Sequence, residues 1–161
     1  DMETSGAVLF AKNPFILPIL NRLLEDKMIQ RQYWALTEGK FQTKKTVYKD
    51  KIGRDRHDRR KRVVDSRKGQ SAYTTVTRLK TFEGASLVNC QLKTGRTHQI
   101  RVHLAHHGHA ILGDPLYSHR LASRLMLHAH TLSFTHPLTL ENVTVQARSE
   151  SFEQGVRNYK P

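Results

Sequence analysis

Two places in the chain hold residues whose types and spacing can do chemistry. At the start, Asp1-Met2-Glu3-Thr4-Ser5-Gly6 puts a carboxylate, two hydroxyls and a glycine ahead of an apolar run. Taken alone, Thr4-Ser5-Gly6 is an ordinary turn, and nothing in the pattern itself makes Asp1 a nucleophile. The second place runs from Lys93 to Tyr117 and reads KTGRTHQIRVHLAHHGHAILGDPLY. Its apolar positions fit a strand or one helix face equally well, so the ends decide. Thr97 suits an N-cap after Gly95, and Gly108 stands where a C′ glycine closes a helix with His106 and His107 in its last turn. A helix carrying Arg96 just outside its N-terminus offers an anion both a guanidinium and free backbone N–H groups. The alternative is a structural Arg96 tied to a carboxylate elsewhere, and both hold at once if that carboxylate lies in a site.

Nine of the ten histidines fall between His98 and His136, which raises the question of zinc. His98, His103, His106, His107 and His109 supply nitrogens, but there is no His-Glu-x-x-His pattern and no Cys-x-x-Cys pair. No metal is therefore expected. These histidines are expected to cap helix ends, bond backbone carbonyls or meet phosphates.

A third segment is informative through charge. Lys40 to Gln70 holds thirteen Lys/Arg and four Asp, so it carries +9 of a net +13. Its densest part, Arg54, Arg56, Arg59, Arg60, Lys61 and Arg62, lacks the apolar spacing of a membrane-surface helix. It reads as an exposed loop or ribbon that meets phosphates, the alternative being a solvated loop without a partner.

These segments need elements to hold them. Gly6 to Ala11 reads as a buried strand. Asn13-Pro14 opens a helix over about 14–26, with Pro18 disturbing its first turns. Gln32 to Thr37 reads as a strand closing at Gly39. Ser71 to Thr81 and Ser86 to Lys93 read as a hairpin turning at Glu83-Gly84. Arg124 to Thr135 and Asn142 to Arg148 are two more strands. The order predicts an α+β fold with a largely antiparallel sheet. With 161 residues, a hydrophobic fraction of 37% and one cysteine, the chain needs neither disulfide nor metal to fold. No apolar run approaches the ~18 residues that cross a bilayer, so a soluble protein of a reducing compartment, the cytoplasm, is expected.

Four of these segments together resemble the RluA-type pseudouridine synthases. Asp1 to Gly6 looks like the end of the family's His-Arg-Leu-Asp-x-x-Thr-Ser-Gly motif. Gln32-Tyr33-Trp34-Ala35-Leu36 is similar to its Tyr-x-Ala-Leu strand. Thr94 to His103 with Gly113-Asp114-Pro115-Leu116-Tyr117 resembles its most specific signature, and Leu127-His128-Ala129 with Phe134-Thr135-His136-Pro137 resembles its terminal strand. The resemblance implies a pseudouridine synthase-like mixed sheet flanked by helices, and isomerisation of uridine in RNA without cofactor or metal. It implies Asp1 as the nucleophile, Arg96 as the cation keeping it ionised and oriented, and Tyr33 as the residue that stacks on the base or moves the C5 proton. Thr4, Thr97, His98, Gln99 and Arg101 are then expected to bind RNA together with the basic stretch, taken as an insertion over about 40–70.

Family members carry His-Arg-Leu before the aspartate, whereas here Asp1 comes first. The chain is thus expected to be a partial catalytic domain lacking its N-terminal strands and any S4-type domain, monomeric, and with little activity by itself. Large-subunit ribosomal RNA is the first expected substrate and transfer RNA the second. A non-catalytic RNA-binding module and a basic ribosome-associated structural protein are the competing classes.

Overall fold

The computed structural model describes residues 1–160. In chain order its elements are β1 (Ser5–Gly6), α1 (Ile16–Glu25), β2 (Gln30–Glu38), β3 (Lys45–Tyr48), β4 (Ile52–Arg54), β5 (Arg62–Val64), β6 (Thr74–Phe82) and β7 (Ala85–Leu92). They continue with α2 (Gln99–His106), β8 (Leu127–Thr135), β9 (Asn142–Gln146) and α3 (Glu150–Arg157). The fold is α+β. The main sheet runs β1-β8-β2-β7-β6-β3 with β9 also on β8, and every pairing in it is antiparallel except β1 with β8. Among the described residues no helix is long and apolar enough to cross a membrane.

Register sorts the side chains onto two faces, because directly opposed residues point the same way. Tyr33 lies opposite Cys90, which lies opposite Val76, and Tyr33 also opposes Ala129 across β8. This face packs against α2 through Ile100 and Leu104. Trp34 lies opposite His128, whose ring stacks on Phe152 of α3, so α3 covers the other face. Strands β2 and β7 are therefore buried from both sides along their centres, and Ala35, Leu36, Val88 and Cys90 are fully enclosed.

Several elements form for the reasons visible in the sequence. Asn13 Oδ1 accepts from Phe15 and Ile16 N–H and so opens α1, with Pro18 inside the first turn where its missing N–H costs nothing. Gly84 turns the β6–β7 hairpin at φ +70°. The basic stretch forms the two-stranded β4–β5 ribbon, but not throughout. Its first part, β3, joins the main sheet beside β6, and Phe41, Tyr48 and Ile52 anchor it in the core.

Three expectations are corrected. The strand over Gly6 to Ala11 shrinks to β1, with Val8 and Phe10 largely exposed, because only Ser5 and Gly6 find an edge of β8 to pair with. The N-cap of α2 is His98, in the left-handed region at φ 57°, and not Thr97. The third is an omission, since α3 was not expected. Its signals are Ser149, whose Oγ accepts from Phe152 N–H, and an apolar stripe of Phe152, Val156 and Tyr159 at helical spacing.

Candidate active site

The Asp1 to Ser5 segment is held against the end of β8 by contacts specific to its sequence. Ser5 Oγ bonds His128 Nδ1 at 2.8 Å, and His128 Nε2 donates to the Ala147 carbonyl at 2.9 Å. Arg124 Nη2 donates to the Glu3 carbonyl at 3.2 Å. Gly6 sits at φ +117° with its Cα so close to β8 that a Cβ would lie 2.2 Å from the Ala129 oxygen. No side chain fits there.

Facing this segment is the start of α2. Gln99 is buried and fastens the preceding turn. Its Oε1 accepts from Thr94 Oγ1 and Arg96 N–H, and its Nε2 donates to the Tyr73 carbonyl and Thr74 Oγ1. His98 and Arg101 are three residues apart and so share one face of the helix end.

Both reach Asp1. His98 Nε2 lies 3.2 Å from Asp1 Oδ1 and Arg101 Nη1 lies 3.5 Å from Oδ2, while the Asp1 side chain is only 16% exposed. Arg101 is itself fixed by a bidentate pair to Asp114, Nε to Oδ2 at 2.8 Å and Nη2 to Oδ1 at 2.7 Å, and by the Tyr117 ring 5.2 Å from its guanidinium carbon. Asp114 also accepts from the N–H groups of Leu116 and Tyr117, so the carboxylate and its loop hold each other in place.

This geometry corrects the expected partner of Asp1. Arg96 lines the same cavity, but its Nε donates to the Ser71 carbonyl and its side chain is exposed. The cation on Asp1 is Arg101. It is 2% exposed and enclosed by protein groups, so it is also no surface RNA contact, and neither is Gln99 at 3%.

The cavity measures about 370 Å³ and is lined by Asp1, Thr4, Arg31, Tyr33, Arg96, Thr97, His98 and Arg101 over an apolar floor that includes Leu92, Leu127 and Ala129. Burial raises the Tyr33 hydroxyl above its ordinary pKa against a smaller opposite effect of the Arg31 charge, so the phenol is protonated at neutral pH. Burial also holds His98 below the usual imidazole range, reinforced by the positive charges of Arg101 and Arg62. Two polar atoms beside the cavity, Thr4 Oγ1 and Arg31 Nε, are buried with no partner among the described residues. Arg31 was missed in the sequence. The available signal was its position two residues before Tyr33, hence on the same face of β2.

The basic residues sort differently. Arg54 in β4 and Arg56, Arg59 and Arg60 in the turn that follows are exposed, while Lys61 and Arg62, where the turn enters β5, are half-buried. Arg54, Arg62 and Lys68 line a second cavity of about 320 Å³, and Thr97 lines both it and the Asp1 cavity. The ribbon and the Asp1 site are thus neighbours. Three histidines bond carbonyls: His103 to Asp50, His109 to Glu38 and, as above, His128 to Ala147. Asp50, His106 and His107 place metal-ligating atoms within 4.8 Å of one another, with His107 Nε2 bonded to Asp50 Oδ2 at 2.8 Å and its ring stacked on Tyr48.

Comparison with known proteins fits this arrangement. Residues 1–106 match the family described as RNA pseudouridylate synthase. The chain is 46% identical over 152 residues to YhcT of Bacillus subtilis (strain 168), described as an uncharacterized RNA pseudouridine synthase, covering 91% of this chain and 50% of that protein. It is 37% identical over 170 residues to ribosomal large subunit pseudouridine synthase D of Neisseria meningitidis (serogroup A), covering 91% of this chain and 43% of that one. The chain therefore spans about half the length of the curated relatives it matches. Among solved structures, human RNA pseudouridylate synthase domain containing 1 superposes with a TM-score of 0.84 at 27% identity, over 100% of this chain and 71% of that one. With the fold shared across the whole chain and the family's own sequence pattern spanning the Asp1 segment, Tyr33 and the start of α2, the chain belongs to the RNA pseudouridylate synthase family.

Proposed function

We propose that this chain is the catalytic core of an RNA pseudouridine synthase in which Asp1 is the reacting carboxylate. The observation that supports this best is a mostly buried carboxylate, fixed by Arg101 and His98, sharing one base-sized cavity with a protonated tyrosine. In the isomerisation the N1–C1′ bond of uridine breaks, a C1′–C5 bond forms, the C5 proton leaves and N1 takes up a proton. No atom is gained or lost. An ionised Asp1 attacks C1′ or C6 of the uridine, or assists formation of a glycal. Any of these needs the nucleotide turned out of its stack into the cavity.

Within this reading the apolar floor of Leu92, Leu127 and Ala129 receives one face of the base and Tyr33 either stacks on the base or moves the C5 proton. Arg101, held by Asp114, keeps Asp1 ionised and aimed. Thr4 Oγ1 and Arg31 Nε, which have no partner among the described residues, are available to polar atoms of the substrate. The β4–β5 ribbon, which lines a neighbouring cavity that shares Thr97 with this one, grips phosphates and reads the shape of the RNA rather than its sequence.

Large-subunit ribosomal RNA is the substrate we favour, because relatives at 34–37% identity are named for that activity. Transfer RNA is second. Mapping pseudouridine in RNA from a strain lacking the gene, and again after the wild-type gene is restored, tests this. Sites in large-subunit RNA that vanish and return support the assignment. Changes confined to transfer RNA replace the substrate, and no changed site in any RNA overturns the proposal.

A further inference from the structure

Beyond Arg101, a chain of hydrogen bonds connects Asp1 to the start of β5 in the basic ribbon. The Arg62 backbone N–H donates to Tyr117 Oη at 2.7 Å. Tyr117 Oη lies 2.9 Å from His98 Nδ1, and His98 Nε2 lies 3.2 Å from Asp1 Oδ1. A backbone N–H can only donate and an ionised carboxylate can only accept, so Tyr117 Oη accepts from Arg62, and a neutral His98 that bonds Asp1 through Nε2–H has Nδ1 free to accept the tyrosine O–H. With the Arg62 hydrogen on its oxygen, the tyrosine turns its own O–H toward His98 Nδ1. That nitrogen is then the acceptor, and the imidazole proton lies on Nε2, toward the carboxylate. The His98 backbone supplies an independent observation. At φ 57° and ψ 20° it occupies the left-handed region at the N-cap of α2, and the ring makes no cap bond to the helix. A non-glycine residue there is strained and persists where the surroundings hold it in place. Here the conformation delivers the ring to Asp1 and Tyr117 and to no helical N–H.

We propose that His98 and Tyr117 are positioning residues for the reaction: Tyr117, set by Arg62 N–H, fixes the His98 tautomer, and the Nε2–H of His98 fixes the rotamer of the Asp1 carboxylate. The proposal rests on the reading of Asp1 as the reacting carboxylate. His98 is therefore not a phosphate ligand. The ribbon also has a second role besides charge, because its β5 end supplies the first donor of the chain that aims Asp1. Tyr117 Oη makes both of its bonds within this chain, while its ring keeps separate contacts with Arg101 and with the cluster of Ile52 and Val102. Tyr117→Phe removes the link and leaves the ring in place.

The experiment is a double-mutant cycle in the full-length protein, with single-turnover tritium release from unmodified large-subunit ribosomal RNA carrying 5-tritiated uridine as the readout. Tyr117→Phe is expected to lower kcat at least tenfold, toward the ~100-fold that a misplacement of about an ångström costs, with little change in KM. His98→Gln places an amide N–H near the position of Nε2 without needing Tyr117, so it is expected to retain more activity than His98→Ala. Adding Tyr117→Phe to His98→Gln is expected to cost nothing further. Nitrogen NMR of the wild-type protein is expected to show His98 protonated on Nε2 alone. Additive effects of the two substitutions, an unchanged kcat in Tyr117→Phe, or a proton on Nδ1 would each overturn the proposal. Asp1→Asn separates the two levels. If it is inactive while Tyr117→Phe is unimpaired, the relay fails and the reading of Asp1 stands. If Asp1→Asn is fully active, the reading fails and the relay with it.

Discussion

In the wall of the Asp1 cavity, Arg101 is 2% exposed and turns three nitrogens toward carboxylates, two to Asp114 and one to Asp1. In the β4–β5 ribbon, Arg54, Arg56 and Arg59 stand in solvent, and Arg60 folds back on its near neighbour Asp58. Both regions are cationic, yet the identity of each partner matters only in the first. A buried ion has no water to fall back on, so removing its partner leaves a bare charge. An exposed arginine exchanges one solvated arrangement for another, and its neighbours substitute for it. Catalysis is therefore expected to depend on single atoms of the cavity wall, and affinity for RNA on the number of charges in the ribbon.

Breaking that contrast is most direct at Asp114. Asp114→Ala strands the Arg101 guanidinium and removes the acceptor for two loop N–H groups, and is expected to cost about 3–5 kcal/mol in urea unfolding. Arg60→Ala, which removes the bidentate pair to Asp58, is expected to shift the unfolding midpoint far less, because the pair is exposed. Comparable losses in both would erase the distinction.

Next in size is the comparison of two arginines in one motif. Arg101→Lys loses the fork that spans Asp114 and Asp1 and is expected to lower kcat about 100-fold or more. Arg96→Ala, which gives up a bond to the Ser71 carbonyl, is expected to cost less in kcat than Arg101→Lys. The reverse order, read from the same turnover assay, would restore Arg96 as the partner of Asp1.

The exposed arginines of the ribbon are expected to respond only through salt. Each of Arg54→Ala and Arg59→Ala should lower the slope of log affinity against log salt by about one if the side chain meets a phosphate, with kcat unchanged. Filter binding over a salt series measures it, and unaltered slopes would return these residues to the solvated surface.

Acid separates the regions last and most gently. Burial holds the pKa values of His98, His103 and His130 down, so the unfolded chain binds more protons than the native one as pH falls through about 6.5. Stability is expected to fall from there. In the ribbon, the side-chain bond from Arg60 holds Asp58 down to about 2, so its contribution is present above about pH 4 and is lost only as pH approaches 2. Urea midpoints from pH 8 to 3 should decline first near 6.5, and a flat profile down to pH 4 would contradict the neutral imidazoles.

The sequence carried the local parts of this architecture well. Asn13-Pro14, Glu83-Gly84 and Gly108 are local devices, and each acts where its chemistry requires. What it did not carry was tertiary. Val8 and Phe10 have strand-like character, but whether a segment becomes a strand depends on a free edge, and β8 offers one to only Ser5 and Gly6. Arg96 and Arg101 stand in the same motif, and helix-end reasoning favours the first as the anion ligand. The distant Asp114 selects the second. Gln99 resembles a surface RNA ligand until Tyr73, Thr74 and Thr94 are seen to use its amide. The helix α3 was legible in principle, since Phe152, Val156 and Tyr159 recur at helical spacing after Ser149.

The central claim concerns one carboxylate, and Asp1→Asn tests it most directly. The substitution keeps size while removing the charge that His98 and Arg101 hold and turning one of the two acceptors they face into a donor. In the full-length protein, wild type is expected to release tritium from 5-tritiated uridine in large-subunit ribosomal RNA, and Asp1→Asn to bind that RNA with similar affinity yet release none. Tritium release by Asp1→Asn at the wild-type rate would contradict the assignment.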